Sequence, residues 1–446
     1  LKEKKMTMPG RPPPCAVSNA AAIPPIWRAR IFASTWICYA GYYFCRKPFY
    51  INKAAVGDAL HVDAAFLGLV GSTYLVAYTA GQFIAGWTSN RFGPRLVLLT
   101  GMAVSIVCNA VFGIADSAPT LLGFMALNGL AQATGWSGAV SAMAPWFRRD
   151  ERGTVMGLWA TNFQAGGVLA NTLAAFLLRH MGYQYSFFGG SLVLLAAWMV
   201  VLLLQRNKPR DAGLPPLLDE ESQGQDSNDS ASTAPGTGPA NAGVSESRRM
   251  WSNVLLVGSL YFFIKFIRYA LWSWAPYFLR KNYNLAGDDA GYLSTLFDLF
   301  GIFGVICAGF ISDKVFAGRR AQVSLIFLTG MTAFCFMLYG LGGQAVWIFG
   351  LSIAAIGFTL YGPDALLTGA GAIDIGSGKN AAIAAGVING MGSIGSVVQE
   401  ILIGDMYVRS NGSLDPIFLL LLGSASIAVL LMLLINLRNR FGLSDV

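Results

Sequence analysis

The stretch Tyr39-Ala-Gly-Tyr42-Tyr43-Phe-Cys-Arg46-Lys47-Pro48-Phe49-Tyr50 decides the reading of this chain. It continues an apolar run that starts at Ile31, which places Arg46 and Lys47 within reach of a bilayer's hydrocarbon core, where an ionisable side chain is expensive and marks function by default. A counterpart, Lys265-Phe-Ile-Arg268-Tyr269, lies inside a second apolar run from about Val254 to Leu279. Arg268 follows Arg46 by 222 positions, close to half of the 446 residues. Two buried arginines at matching places in two halves predict a pseudo-symmetric cage for an anion. Each guanidinium offers a planar fork of donors to phosphate or carboxylate oxygens.

The composition points the same way. The chain is 54% hydrophobic and 12% charged, with a mean hydropathy of +0.53. Soluble domains carry about 25% charged residues, so a polytopic membrane protein is expected. The 52 glycines suit helices that approach closely in lipid. The net charge of +8 does not indicate nucleic acid, because the basic residues sit in short loops between apolar runs and form no single stripe. The six cysteines show neither a C-x-x-C pair nor regular spacing, and only His61 and His180 are present, so no metal site, cofactor or histidine-centred catalysis is expected.

Apolar segments long enough to cross a bilayer fall at about 29–50, 65–88, 94–115, 119–146, 153–178 and 184–205, then at 252–279, 289–312, 320–341, 345–373, 381–404 and 415–437. The expected fold is an all-α membrane protein of twelve transmembrane helices in two six-helix halves, 29–205 and 251–437. Residues 1–28, with Pro12-Pro13-Pro14 and no apolar leader region, are read as a disordered cytosolic tail, and 438–446 as a second tail. Residues 206–250 are rich in Asp, Glu, Ser, Gly, Pro and Asn and are read as a flexible linker. Arg91, Arg95, Arg148, Arg149, Arg152, Arg206, Lys208, Arg210, Lys314, Arg319, Arg320 and Lys379 crowd one set of loops, which places both termini on the cytosolic side. Gly376-Ser-Gly378-Lys379-Asn380 fails as a phosphate loop, having Ile373 at the first glycine position and Asn380 at the Ser/Thr position. Asn411-Gly-Ser413 and Asn228-Asp-Ser230 fit the glycosylation pattern, the first in an outward loop and the second on the cytosolic side.

Gly86-Trp-Thr-Ser-Asn90-Arg91-Phe-Gly93-Pro-Arg95 is echoed 223 residues later by Gly309-Phe-Ile-Ser-Asp313-Lys314 and Gly318-Arg319-Arg320. This repeated loop resembles the signature of the major facilitator superfamily, with Asn90 standing where the signature has Asp. Tyr39 to Pro48, Gln132-Ala-Thr-Gly-Trp136, Trp146-Phe-Arg-Arg-Asp-Glu151-Arg152-Gly153, Arg268-Tyr269 with Trp274-Ala-Pro276-Tyr277, and Tyr361-Gly362-Pro363 look like the organophosphate:inorganic phosphate antiporter family. Leu293-Ser-Thr-Leu-Phe-Asp298 and the run Gly362-Pro-Asp-Ala-Leu-Leu-Thr-Gly369 look most like its eukaryotic sugar-phosphate exchangers.

The resemblance implies roles for particular residues. Arg46 and Arg268 match the family's two phosphate-binding arginines. Lys47 matches a family lysine; Lys265 stands where the glycerol-phosphate type has Tyr, with a surface-directed lysine as the alternative. Tyr39, Tyr43, Tyr78 and Tyr361 match cavity tyrosines, packing being the alternative role for each. Asp298 matches an acid that pairs with the site cations, leaving four basic side chains against one acid. Gln82 and Phe163 replace a lysine and a histidine of the bacterial glycerol-phosphate pattern.

The function implied is exchange of a phosphorylated sugar, foremost a hexose phosphate such as glucose 6-phosphate, for inorganic phosphate by alternating access. The carrier is expected to act as a monomer in the bilayer, in the endoplasmic reticulum or plasma membrane if eukaryotic, without nucleic acid. A non-transporting organophosphate receptor and a proton-coupled anion symporter are the alternatives.

Overall fold

In the computed structural model, residues 23–147, 152–215, 240–316, 319–367 and 381–441 are described, and the side chains of 90, 152–154, 157, 240–249, 313 and 381–385 are excluded. Most of the predicted N-terminal tail, Arg148 and Arg149, the linker core 216–239 with its Asn228 motif, the glycine-rich run 376–380 and residues 442–446 lie outside this set.

The first half comprises α1 (Pro25–Tyr43), α2 (Lys47–Ile51), α3 (Lys53–Leu60), α4 (Ala64–Phe92), α5 (Pro94–Ile114), α6 (Ala118–Gln132), α7 (Thr134–Met143), α8 (Arg152–Trp159), α9 (Thr161–His180) and α10 (Tyr183–Leu204). The second comprises α11 (Ala240–Lys281), α12 (Gly287–Phe310), α13 (Arg320–Leu341), α14 (Val346–Leu366), α15 (Ala381–Arg409) and α16 (Asp415–Arg440). Among the described residues, nine helices are long and apolar enough to cross a membrane unbroken. The three other predicted spans are each built from shorter helices: α1 to α3, α6 with α7, and α8 with α9. Large apolar side chains such as Phe83, Leu192, Phe303 and Trp347 point outward, as a lipid-facing surface requires.

The first span departs from the predicted 29–50, starting at Pro25 and reaching Leu60 with a break at residues 44–46. Pro48 is the physical reason. It has no N–H for the carbonyl of Phe44, which removes one bond of the α-helical ladder at this point. Phe44, Cys45 and Arg46 instead donate their N–H groups three residues back, to Gly41, Tyr42 and Tyr43, at 3.0, 3.1 and 3.1 Å. The Asn128 amide donates to the Cys45 carbonyl at 3.1 Å. Arg46 thus leaves the helix axis at a break held by a side chain from α6. Parts of the range 206–250 read as a linker have local structure. Asn207 Oδ1 accepts from Arg95 N at 2.9 Å, Pro209–Ala212 form a 3-10 turn, and Ala212 and Leu214 pack against the buried cluster around Trp146, while α11 begins at Ala240.

The halves meet along α4 with α15, α9 with α12, and α2 and α3 with α11. Among the described residues, the ion pairs across this seam are Lys47–Asp298, Lys53–Glu400, Arg179–Asp288, and Asp58 with Arg280 and Lys281. Apart from the first, they lie toward the face opposite the chain termini, here termed the distal face. Glycines make that contact possible: a Cβ on Gly71 falls 2.8 Å from the Glu400 carboxyl carbon, and one on Gly404 falls 2.6 Å from the Ala64 carbonyl oxygen.

Candidate functional site

Arg46 follows directly from the break in the first span. Its Nε donates to Gln132 Oε1 at 2.8 Å, and the Tyr74 hydroxyl donates to the same oxygen at 3.0 Å. Gln132 is steadied by Ser105, and Ser105 donates to Asn128 Oδ1, the amide that also holds the break. The guanidinium lies 4.8 Å from the Tyr43 ring centre and 5.0 Å from that of Tyr78. Its Nη2 is buried with no hydrogen-bond partner. One polar network therefore sets both the backbone and the orientation of Arg46, with Nη2 left unpartnered.

Arg268 reaches the same place from α11 in the other half. Its Nη1 lies 2.5 Å from Asp364 Oδ2, and its guanidinium is 4.6 Å from the Tyr361 ring centre. The two arginines line one cavity of about 30 Å³ together with Tyr43, Tyr74, Leu75, Tyr78, Tyr269 and Trp272. It is a small cavity bounded by side chains of both halves.

The other predicted residues are arranged around this cavity and do not line it. Lys47 Nζ lies 2.8 Å from Asp298 Oδ2 and 4.0 Å from the Trp272 ring centre. The Tyr361 hydroxyl donates to the other Asp298 oxygen at 2.6 Å, so Asp298 joins a lysine of one half to a tyrosine of the other. Lys265 is buried, in contrast to the surface-directed alternative, and donates to Asn389 Oδ1 at 2.8 Å. Tyr39 packs behind Tyr43, with Trp136 and Trp159 at 5.7 and 5.6 Å between ring centres.

Several residues escaped the sequence reading. Asp364 adds a second acid, so four basic side chains face two acids and the excess is +2 rather than +3. Its signal was present, a carboxylate three residues after Tyr361 inside an apolar helix. Tyr74, one helical turn before Tyr78, was visible only as spacing. Tyr269 and Trp272 flank the cavity from α11. Lys53 and Glu400 form a second buried inter-half pair with no counterpart in the predicted set.

The family model for the Major Facilitator Superfamily matches residues 35–400. A probable hexose phosphate transport protein of Chlamydia pneumoniae is 29% identical over 415 residues, covering 91% of this chain and 90% of its own. The glycerol-3-phosphate transporter of Bacillus subtilis (strain 168) is 29% identical over 428 residues, covering 91% and 92%. A putative glycerol-3-phosphate transporter of Arabidopsis thaliana is 30% identical over 432 residues, covering 87% and 86%. Among solved structures, an inward-facing, unoccupied bacterial homolog of the human lysosomal transporter Spinster superposes with a TM-score of 0.67 at 16% identity, covering 92% of this chain and 95% of that one. The nucleoside transporter NupG gives 0.65 at 13% identity, covering 90% and 99%, so both carry the fold alone. The chain belongs to the major facilitator superfamily, and within it to the organophosphate transporter family that holds the hexose phosphate and glycerol-3-phosphate proteins.

Proposed function

We propose that this transporter exchanges a phosphorylated sugar, foremost a hexose phosphate such as glucose 6-phosphate, for inorganic phosphate by alternating access, with both termini in the cytosol. The observation that carries the reading is the cavity between the halves, flanked by Arg46 from one and Arg268 from the other. A tetrahedral phosphate offers enough oxygens for two forks at once, and closing both onto it requires the halves to approach. The relatives named as hexose phosphate and glycerol-3-phosphate carriers support the substrate class.

Charge supports exchange as the mode. Lys47 is balanced by Asp298 and Arg268 by Asp364, while Arg46 and Lys265 rest on the neutral amides of Gln132 and Asn389. The excess of two positive charges matches a phosphomonoester, which carries about −1.5 to −2 at neutral pH. Without an anion, rocking buries uncompensated cations at an effective penalty of several kcal/mol per ion. Phosphate-loaded proteoliposomes should therefore take up labelled glucose 6-phosphate, and vesicles without internal phosphate should not. Equal uptake in both would point to symport, and uptake in neither to a receptor.

A further inference from the structure

The two arginines of the cavity are not equivalent. Arg46 has only neutral partners, Gln132 on Nε and the tyrosine rings around the guanidinium, and its Nη2 is unpartnered. Arg268 is held by the Asp364 carboxylate, with the two side chains 18% and 9% exposed. An anion reaching Arg46 displaces nothing charged. An anion reaching Arg268 has to take the place of a carboxylate.

We propose that Asp364 is a specificity-determining residue that sets the minimum charge of a transported ligand: it occupies Arg268 as an internal stand-in for phosphate, and only a dianion gains enough to displace it. The inference rests on the exchange reading above. Replacing the carboxylate by a monoanion leaves the charge beside Arg268 unchanged, so the swap brings no net Coulomb gain there. A dianion brings one further negative charge to the same cage.

The displaced carboxylate needs a new cation, since an unpaired buried charge is costly. Lys265, one turn before Arg268 on the same face of α11, supplies it: its ammonium is held by the neutral Asn389 amide and by no carboxylate among the described residues. Pro363 precedes Asp364 inside α14 and removes one bond of the helical ladder, which lets this turn yield. Lys265 thereby receives the carboxylate that the ligand displaces and makes no contact with the ligand itself.

Methyl phosphate and methyl sulfate test this directly, because they share shape and terminal oxygens but differ by one charge at pH 8. Phosphate exchange by the reconstituted full chain is measured against each competitor in wild type, Asp364→Asn and Asp364→Glu. Methyl sulfate should compete at least about 100-fold more weakly than methyl phosphate in wild type. Asp364→Asn should strengthen methyl sulfate at least tenfold and allow its exchange, while Asp364→Glu keeps the wild-type ranking. An Asp364→Asn protein that exchanges phosphate yet resists methyl sulfate as wild type does would overturn the proposal. If that variant transports poorly, thermal-shift titration of the purified protein with both ligands decides, and an unchanged methyl sulfate affinity overturns it. Absence of phosphate exchange in wild type would instead refute the exchange reading, with the same titration still deciding the role of Asp364.

Discussion

Lys53 Nζ and Glu400 Oε2 lie 2.9 Å apart, join opposite halves of the protein, and leave neither side chain exposed. The lysine also donates to Ser273 Oγ at 2.8 Å and stands 3.6 Å from the Trp274 ring centre. Opening the distal face has to separate this pair. Removing one partner of a buried pair leaves an uncompensated charge, at a cost of about 3–5 kcal/mol. Lys53→Met and Glu400→Met should each lower the melting temperature of the purified carrier, and the double variant Lys53→Met/Glu400→Met should recover most of the loss. Additive losses in the double variant would show that the two residues do not act as a pair.

Asp298 receives Lys47 from one half and Tyr361 from the other. Asp298→Asn removes a negative charge beside the cavity and leaves the Lys47 ammonium without its counter-ion. Binding of phosphate should tighten and release should slow. We expect a severalfold lower apparent KM with turnover reduced about tenfold, an order of magnitude set by the loss of one charge-assisted hydrogen bond. Unchanged KM and turnover in exchange assays would show that Asp298 plays no part in the cycle.

Much of this arrangement was legible before any coordinates. Arg46 and Arg268 stood out because charges inside apolar runs recur at half the chain length, and Asp298 because the family resemblance places a pairing acid there. What stayed hidden depends on tertiary direction. Tyr39 and Tyr43 are one turn apart on α1, yet Tyr39 is enclosed by Trp136 and Trp159 and only Tyr43 reaches the cavity. Lys53 and Glu400 are 347 residues apart and share no local pattern. The break before Lys47 was written in Pro48, but the unbroken apolar run around it read as a continuous helix.

The pH dependence follows from the substrate. A phosphomonoester has its second pKa near 6, so its dianion fraction falls about tenfold from pH 7 to pH 5. Its raised charge above that pKa is what the excess of two cations requires, so exchange should be fully present above pH 7 and fall by a similar factor as the pH drops through 6. Initial rates of sugar-phosphate uptake across this range check it. A rate that rises toward pH 5 would favour proton coupling.

The paired arginines carry the account, and labelled phosphate exchange by reconstituted Arg46→Lys and Arg268→Lys tests them most directly. Lysine keeps the charge and loses the two-pronged geometry that holds a tetrahedral anion between the halves. Each variant should fold normally and exchange at least about 100-fold more slowly than wild type, and the double variant should be little worse than either single one, because residues acting as a unit are not additive. Near-normal exchange in either single variant would contradict the assignment of the site.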